Sequence, residues 1–229
     1  MENKTSLVVL AVAALALAAW YFLPSPSAAP AAPAPEATST PAAATTTDDR
    51  ANLPPMNENN ATTTRVRLST SAGDIVLELY TGQTPITAGN FIKLANEGYY
   101  DGTKFHRVID GFMLQGGDPL TKDDSQSARW GTGGPGYTIE DEFVAGLSNV
   151  RGTISMANTG APKTGGSQFF INLVDNTNLD FDKPPMTSRH PVFGRVVEGM
   201  DIVDAIGQVA TDGRDRPIEA VVISEVSVE

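Results

Sequence analysis

From residue 65 to the end of the chain, short runs of β-branched and aromatic residues are interrupted every few positions by clusters of Gly, Asn and Asp. Such punctuation rules out long helices almost everywhere and predicts short strands joined by tight turns. Residues 65–69 alternate polar and apolar, with Val66 and Leu68 on one face. Ile75, Leu77 and Leu79 repeat that two-residue period beyond a Ser71-Ala72-Gly73 turn, which predicts a β-hairpin. Further strands are expected at 153–156, 168–173, 192–197 and 218–228. Two stretches escape the pattern. At Thr84-Pro85 an N-cap residue precedes a proline at the first helical position, Phe91, Leu94 and Ala95 share one face, and Gly98 supplies the left-handed residue that ends a helix. The second helical stretch lies near 200–206. Many short strands with few helices leave a closed antiparallel barrel or a sandwich, and periodicity does not choose between them.

The first third of the chain is different in kind. Residues 7–23 carry no charge, are rich in Ala, Leu and Val, and end in Trp20-Tyr21-Phe22, aromatics suited to a membrane–water boundary. They read as a signal anchor within a segment 1–23. Lys4 and the amino terminus precede the apolar run and no basic residue follows until Arg50, so the positive-inside bias places everything after it outside the cytoplasm. The expected location is the cell membrane, single-pass, with the catalytic domain extracytoplasmic. A cleaved signal peptide and a secreted product are the alternative: small residues at 25–29 suit a peptidase, whereas prolines 24, 26 and 30 oppose it. Residues 24–63 are Pro, Ala, Thr and Ser with few large apolar groups, too little to offset the entropy of ordering, and predict a disordered linker. Asn60-Ala61-Thr62 within it is an N-glycosylation sequon. The globular domain is then 64–229.

Charge and cysteine content narrow the function. The formal charge is −11, of which −3 falls before Thr64 and −8 after it. Phosphate backbones would be repelled, so no nucleic-acid partner is expected. With no cysteine and two histidines, disulfides, thiol catalysis, lipoprotein attachment and a zinc centre are all excluded or hard to assemble. Gly131-Thr132-Gly133-Gly134-Pro135-Gly136 satisfies G-x-G-x-x-G, but no strong parallel strand precedes it and no helix follows, so it reads as a tight loop. Residues 175–182 are rich in oxygen ligands but lack the glycine and the terminal glutamate of a calcium loop, and Glu140-Asp141-Glu142 reads as a solvated loop. No metal or cofactor is expected, and nothing requires more than a monomer.

One stretch concentrates the chemistry. In Phe105-His106-Arg107-Val108-Ile109-Asp110-Gly111-Phe112-Met113-Leu114-Gln115-Gly116-Gly117-Asp118, one permanently cationic side chain stands among apolar residues and tight glycine turns. His106 alternates with Arg107 and so faces the other way along a strand. Met156-Ala157-Asn158 and Gly166-Ser167-Gln168-Phe169-Phe170 follow as an amide-rich and a diaromatic segment. Together, over about 65–229, these segments resemble the cyclophilin family of peptidyl-prolyl cis/trans isomerases, and Phe-Phe-Ile-Asn-Leu-Val-Asp-Asn from Phe169 resembles its prokaryotic members most.

The resemblance implies a mainly β fold: a closed eight-stranded antiparallel barrel capped by two helices, with a groove on its outer face. It implies isomerisation of X-Pro bonds in proline-containing polypeptides, here exported or membrane proteins during folding. Arg107, Gln115 and Gln168 would form the catalytic group: Arg107 stabilises the transition state, Gln115 holds the substrate backbone and Gln168 orients the arginine. Phe112, Met113, Phe170 and Leu179 would line the proline slot, Gly131 and Ala157 would leave room for flanking residues, Asn158 would hold the substrate backbone, and His190 would stand at the rim. Phe169 is assigned to the core. Asn178 occupies the place where many eukaryotic cyclophilins carry a tryptophan that contacts cyclosporin, so at most weak binding of that inhibitor is implied. The loop 181–189 looks longer than in short eukaryotic forms, and Asp110 and Thr159 are further departures. The alternative from another class is a chaperone or scaffold module that binds proline segments with little turnover.

Overall fold

The structure, a computed structural model, describes residues 62–229. The expected membrane segment at 7–23 and the sequon at Asn60 lie outside them, as does the linker over 24–63 but for its last two residues. Among the described residues no helix is long and apolar enough to cross a membrane.

Among the described residues nine strands form one sheet: β1 (Thr64–Thr70), β2 (Gly73–Leu79), β3 (Thr103–Lys104), β4 (Arg107–Ile109), β5 (Met113–Gly116), β6 (Thr153–Met156), β7 (Phe169–Asn172), β8 (Val192–Glu198) and β9 (Val222–Val228). Their order is β3-β9-β1-β2-β8-β6-β7-β5-β4, with every ladder antiparallel. The 65–79 hairpin forms in the expected register, Leu68 opposite Ile75 and Val66 opposite Leu77. The strands expected at 153–156 and 192–197 match β6 and β8 closely, whereas the last strand begins only at Val222.

Nine strands stand where eight were expected, and no ladder joins the two ends of the order among the described residues. The two edges of the sheet, β3 and β4, are separated in the chain by Phe105 and His106 alone, and these two residues address opposite neighbours. Phe105 N–H donates to the Val221 carbonyl at 3.0 Å and His106 N–H to the Gln115 carbonyl at 3.0 Å. One segment therefore leaves one edge and joins the other without a ladder across the seam, giving nine strands in a half-barrel.

Two helices pack on the sheet, α1 (Pro85–Asn96) and α2 (Met200–Gly207). Phe91, Leu94 and Ala95 of α1 are buried as their spacing predicts, and Val203 and Ile206 of α2 join the same core. Phe91 stacks on Tyr100 at 4.8 Å and meets Phe169 edge-on at 5.4 Å, so Phe169 is core as expected. Gly98, at φ 65°, ends α1: its N–H reaches the Ala95 carbonyl and that of Tyr99 reaches the Leu94 carbonyl, the paired bonds that satisfy a helix C-terminus. The N-terminus differs from expectation. The Thr84 hydroxyl donates backwards to the Tyr80 carbonyl and caps nothing. The cap is the Glu142 carboxylate, which accepts the N–H groups of Ile86 and Thr87, so the run at 140–142 is not merely a solvated loop. No local pattern could reveal a cap drawn from more than fifty residues away.

Candidate functional site

Strand alternation builds the site. In β4, Val108 points into the core, which leaves Arg107 and Ile109 on the outer face; in β5, Leu114 points inward, leaving Met113 and Gln115 outward. Phe169 and Ile171 of β7 point inward and Phe170 outward. Pairing then aligns Arg107 with Gln115 and Gln115 with Phe170, so these three form one transverse row, next to a second row of Ile109 and Met113. His106, of opposite parity, is 4% exposed beneath that face, as its place in the sequence predicted.

The apolar part of this face is a separate cluster. Met113, Phe170 and Leu179 are buried, and Phe112, Ile109 and Ala157 pack around them, so all four residues expected at the proline slot come together. Ile109 belongs with them and was missed; its two-residue step from Arg107 is the signal that could have found it. Leu179 is brought in by a short 3-10 turn, Thr177–Leu179. The oxygen-rich stretch behind it is consumed internally. Asn176 Nδ2 donates to the Phe112 carbonyl at 2.9 Å, and the Asp180 carboxylate accepts from Asn149, Ser148 and Lys183.

The polar part is a chain of fixed amides. Gln115 Nε2 donates to Gln168 Oε1 at 3.0 Å, and Gln168 Nε2 donates to the carbonyls of Gly131 and Gly133 at 3.0 and 2.8 Å. That glycine loop is held from below by the fully buried Asp118 carboxylate, which accepts the N–H groups of Leu120, Gly131 and Gly133 at 2.8, 2.5 and 3.2 Å. Gly131 has φ 90°, a conformation L side chains rarely adopt. Sequence reasoning singled out Gly131 from this loop but not Asp118, although a carboxylate directly after Gly116-Gly117 was a visible signal. Gln168 does not touch Arg107. The guanidinium, half-exposed, has Asp215 as its partner, Nε to Oδ2 at 3.5 Å. Asp215 has φ 61°, rare for a residue with a side chain, and its carbonyl accepts Val108 N–H at 2.8 Å, which fixes it beside β4.

His190 stands at the rim of the apolar cluster, edge-on to Phe170 at 5.2 Å. Its Nδ1 lies 3.1 Å from the Met156 carbonyl and its Nε2 2.8 Å from the Ser188 hydroxyl. A carbonyl only accepts, so the neutral ring carries its proton on Nδ1 and takes the Ser188 hydroxyl at Nε2. Burial lowers the pKa of His190, against a smaller raising effect of the Met156 carbonyl. Asn158 donates to the Arg189 carbonyl at 2.7 Å and accepts Gly160 N–H at 3.0 Å. Its side chain thus ties the loop 181–189 to the wall of the groove.

Two clefts flank the row. One, of about 400 Å³, is lined by Gln115, Gly131, Ala157, Asn158 and Gln168 among others. The other, of about 350 Å³, contains Arg107. Gln115 and Gly131 line both, so the clefts meet at the centre of the site.

A family model described as cyclophilin type peptidyl-prolyl cis-trans isomerase/CLD matches residues 65–228. The peptidyl-prolyl cis-trans isomerase-like 1 of Gibberella zeae is 43% identical over 167 residues, covering 72% of this chain and 95% of that protein. Its human namesake is 45% identical over 159 residues, covering 69% and 88%. The crystal structure of a Cryptosporidium parvum cyclophilin type isomerase matches with a TM-score of 0.64 at 32% identity, covering 73% of this chain and 98% of that one. The same enzyme in the presence of the dipeptide Ala-Pro matches with a TM-score of 0.63. These relatives are eukaryotic, so the expected kinship with prokaryotic forms has no support from them.

Proposed function

The chain belongs to the cyclophilin-type peptidyl-prolyl cis-trans isomerase family, and from that premise we propose that Arg107 drives the rotation of X-Pro bonds by stabilising a twisted amide. Resonance opposes rotation with a barrier of about 18–20 kcal/mol, and no bond need break. At a quarter turn the proline nitrogen regains its lone pair and accepts a hydrogen bond that it cannot accept when planar. A donor fixed there acts on the transition state alone. Arg107 suits the role because its guanidinium stays protonated and presents several donors in a rigid fork. With Nε facing Asp215, both Nη groups remain for the substrate.

The observation that carries this reading is the transverse row of Arg107, Gln115 and Phe170 beside the buried Met113–Phe170–Leu179 cluster. An apolar ring placed in that cluster has its amide within reach of the only cation in the row. Gln115, its own N–H engaged by Gln168, keeps its carbonyl for a substrate N–H. The clients are polypeptides with exposed X-Pro bonds, a class to which the Ala-Pro dipeptide used with the Cryptosporidium parvum enzyme also belongs. Residues 7–23 support placing the domain outside the cytoplasm, tethered by the linker to a membrane and acting on exported chains; protection of the C-terminal domain from protease added to intact cells would overturn that placement.

Isomerisation of an X-Pro peptide by the full-length chain beside Arg107→Ala, both shown folded, tests the mechanism. One preorganised donor is worth about 3–4 kcal/mol in comparable tests, so kcat/KM should fall about 10²- to 10³-fold while peptide affinity changes little. Unchanged turnover in the variant would remove Arg107 from the chemistry. Binding without acceleration by the wild type would make this a proline-binding module.

A further inference from the structure

The cleft that contains Arg107 also holds two further arginines. In a chain of formal charge −11 with ten arginines, Arg107, Arg214 and Arg216 line this one cleft of about 350 Å³, and no carboxylate is among its lining residues. Two of the three are partly compensated from outside. Arg107 faces Asp215, and Arg216 binds Asp212 through Nε at 2.9 Å and Nη2 at 2.6 Å. Arg214 is exposed and its guanidinium has no ion-pair partner among the described residues; only its backbone N–H is engaged, by Asp212. The floor is rigid. Trp130 donates its indole N–H to the Leu120 carbonyl at 3.0 Å, and its ring lies 5.9 Å from the Arg216 guanidinium, which also donates to the Ser127 carbonyl at 3.0 Å. Behind the arginines His106 is buried, 4% exposed.

We propose that this cleft is a subsite for an anionic side chain of the bound polypeptide, a carboxylate or a phosphoryl group carried within a few residues of the isomerised proline. This rests on the isomerase reading, because it is the proline at Arg107 that brings the rest of the polypeptide to the cleft. Arg107 and Gln115 line this cleft and stand in one row with Phe170 of the apolar cluster, so a chain with its proline in that cluster has the arginine cleft alongside. Guanidinium forks match carboxylate and phosphoryl oxygens in pairs, and a fixed cluster with one unpaired member offers donors without first breaking an ion pair. The substrate class is therefore narrowed to proline segments with a nearby negative charge.

The test uses the full-length chain and a panel of X-Pro peptides bearing Gln, Glu or phosphoserine at each position from three before to three after the proline, with calorimetric binding and turnover measured for each. At one position Glu or phosphoserine should improve both affinity and kcat/KM about fivefold over Gln, with the gain shrinking at high salt. Arg214→Gln should bring that ratio close to one. A gain for Glu identifies a carboxylate as the ligand, and a gain for phosphoserine alone identifies a phosphoryl group. Equal behaviour of all three peptides at every position overturns the subsite, as does a preference that Arg214→Gln leaves intact. A binding preference abolished by Arg214→Gln, in a protein that turns over no peptide, would sink the isomerase reading and leave the subsite standing.

Discussion

Gln115 and Gln168 are joined amide to amide, Nε2 to Oε1 at 3.0 Å, and Gln168 gives its own N–H groups to the carbonyls of Gly131 and Gly133. Gln168 thus holds Gln115, and no hydrogen bond joins it to Arg107. Replacing Gln168 with Ala frees Gln115 and leaves both loop carbonyls without their donor. The expected result is a fall in kcat/KM of about tenfold, the cost of one or two ordinary hydrogen bonds, with the melting temperature little changed. Gln168→Glu should be worse than Gln168→Ala, since a carboxylate facing two carbonyls repels both. Kinetics with one X-Pro peptide for the three proteins decide the matter, and equal rates would remove Gln168 from the site.

Asp118 lies one step further from the chemistry and should matter more to stability. Its fully buried carboxylate accepts three backbone N–H groups, and Asn can accept through one oxygen only while its NH₂ opposes the remaining donors. Asp118→Asn should cost about 3 kcal/mol in denaturant unfolding, from buried donors left unsatisfied. Gly133→Ala probes the same contact from the other side, because a Cβ at Gly133 would lie 2.0 Å from Asp118 Oδ1. The loop must then shift and carry the Gln168 acceptors with it. Loss of activity in Gly133→Ala with the fold retained would link the loop to the site, and full activity would break that link.

How much of this was legible in the sequence depends on the range of the determining contact. The outer-face row of Arg107, Ile109, Met113 and Gln115 follows from strand parity alone, and Phe91, Leu94 and Gly98 follow from helix periodicity and the end of α1. What sequence could not supply were relations across the chain. Phe105 bonds to Val221, a partner that no local window contains, while His106 bonds to nearby Gln115. Asp215 beside Arg107, Glu142 on α1 and Asp118 under the glycine loop are charges with partners 108, 56 and 13 residues away in sequence. Of these only Glu142 was read at all, and as a solvated loop.

The Glu142 cap offers a test of such long-range satisfaction on its own. Its two oxygens accept Ile86 and Thr87 N–H at a helix start with no acidic residue in its first turn and no side-chain cap of its own. Glu142→Ala should lower stability by about 1 kcal/mol, the ordinary worth of an N-cap, with a further loss of charge–dipole attraction that salt screens. Thr84→Ala should not have this effect on the cap, since the Thr84 hydroxyl points to Tyr80. Denaturant midpoints for the two variants are the measurement, and a larger salt-sensitive loss in Thr84→Ala would reverse the assignment.

Stability should fall with pH in two separate windows, one from the histidines and one from carboxylates held below their ordinary value, Asp212 with Asp123 and Asp180. Burial lowers the pKa of His106 and of His190 below the ordinary 6.5, with Asp118 and the Lys104 backbone opposing and Arg107 assisting at His106, and the Met156 carbonyl and Asp141 opposing at His190. The unfolded chain then takes up protons first, so stability is greatest above pH 6.5 and declines as pH falls below it through the folded-state values. Asp212 behaves in the opposite sense of charge. Hydrogen bonds from the Arg216 side chain and from the backbone at Arg214 and Arg216 lower it to about 2. Its contribution is present above the unfolded carboxylate value of about 4 and lost as pH drops towards 2. Melting temperatures of the full-length chain from pH 8 to pH 2 should therefore show a first decline below pH 6.5 and a second below pH 4. The double variant His106→Gln, His190→Gln should flatten the first and leave the second. A first decline of unchanged slope in the double variant would mean that neither ring is held neutral by burial.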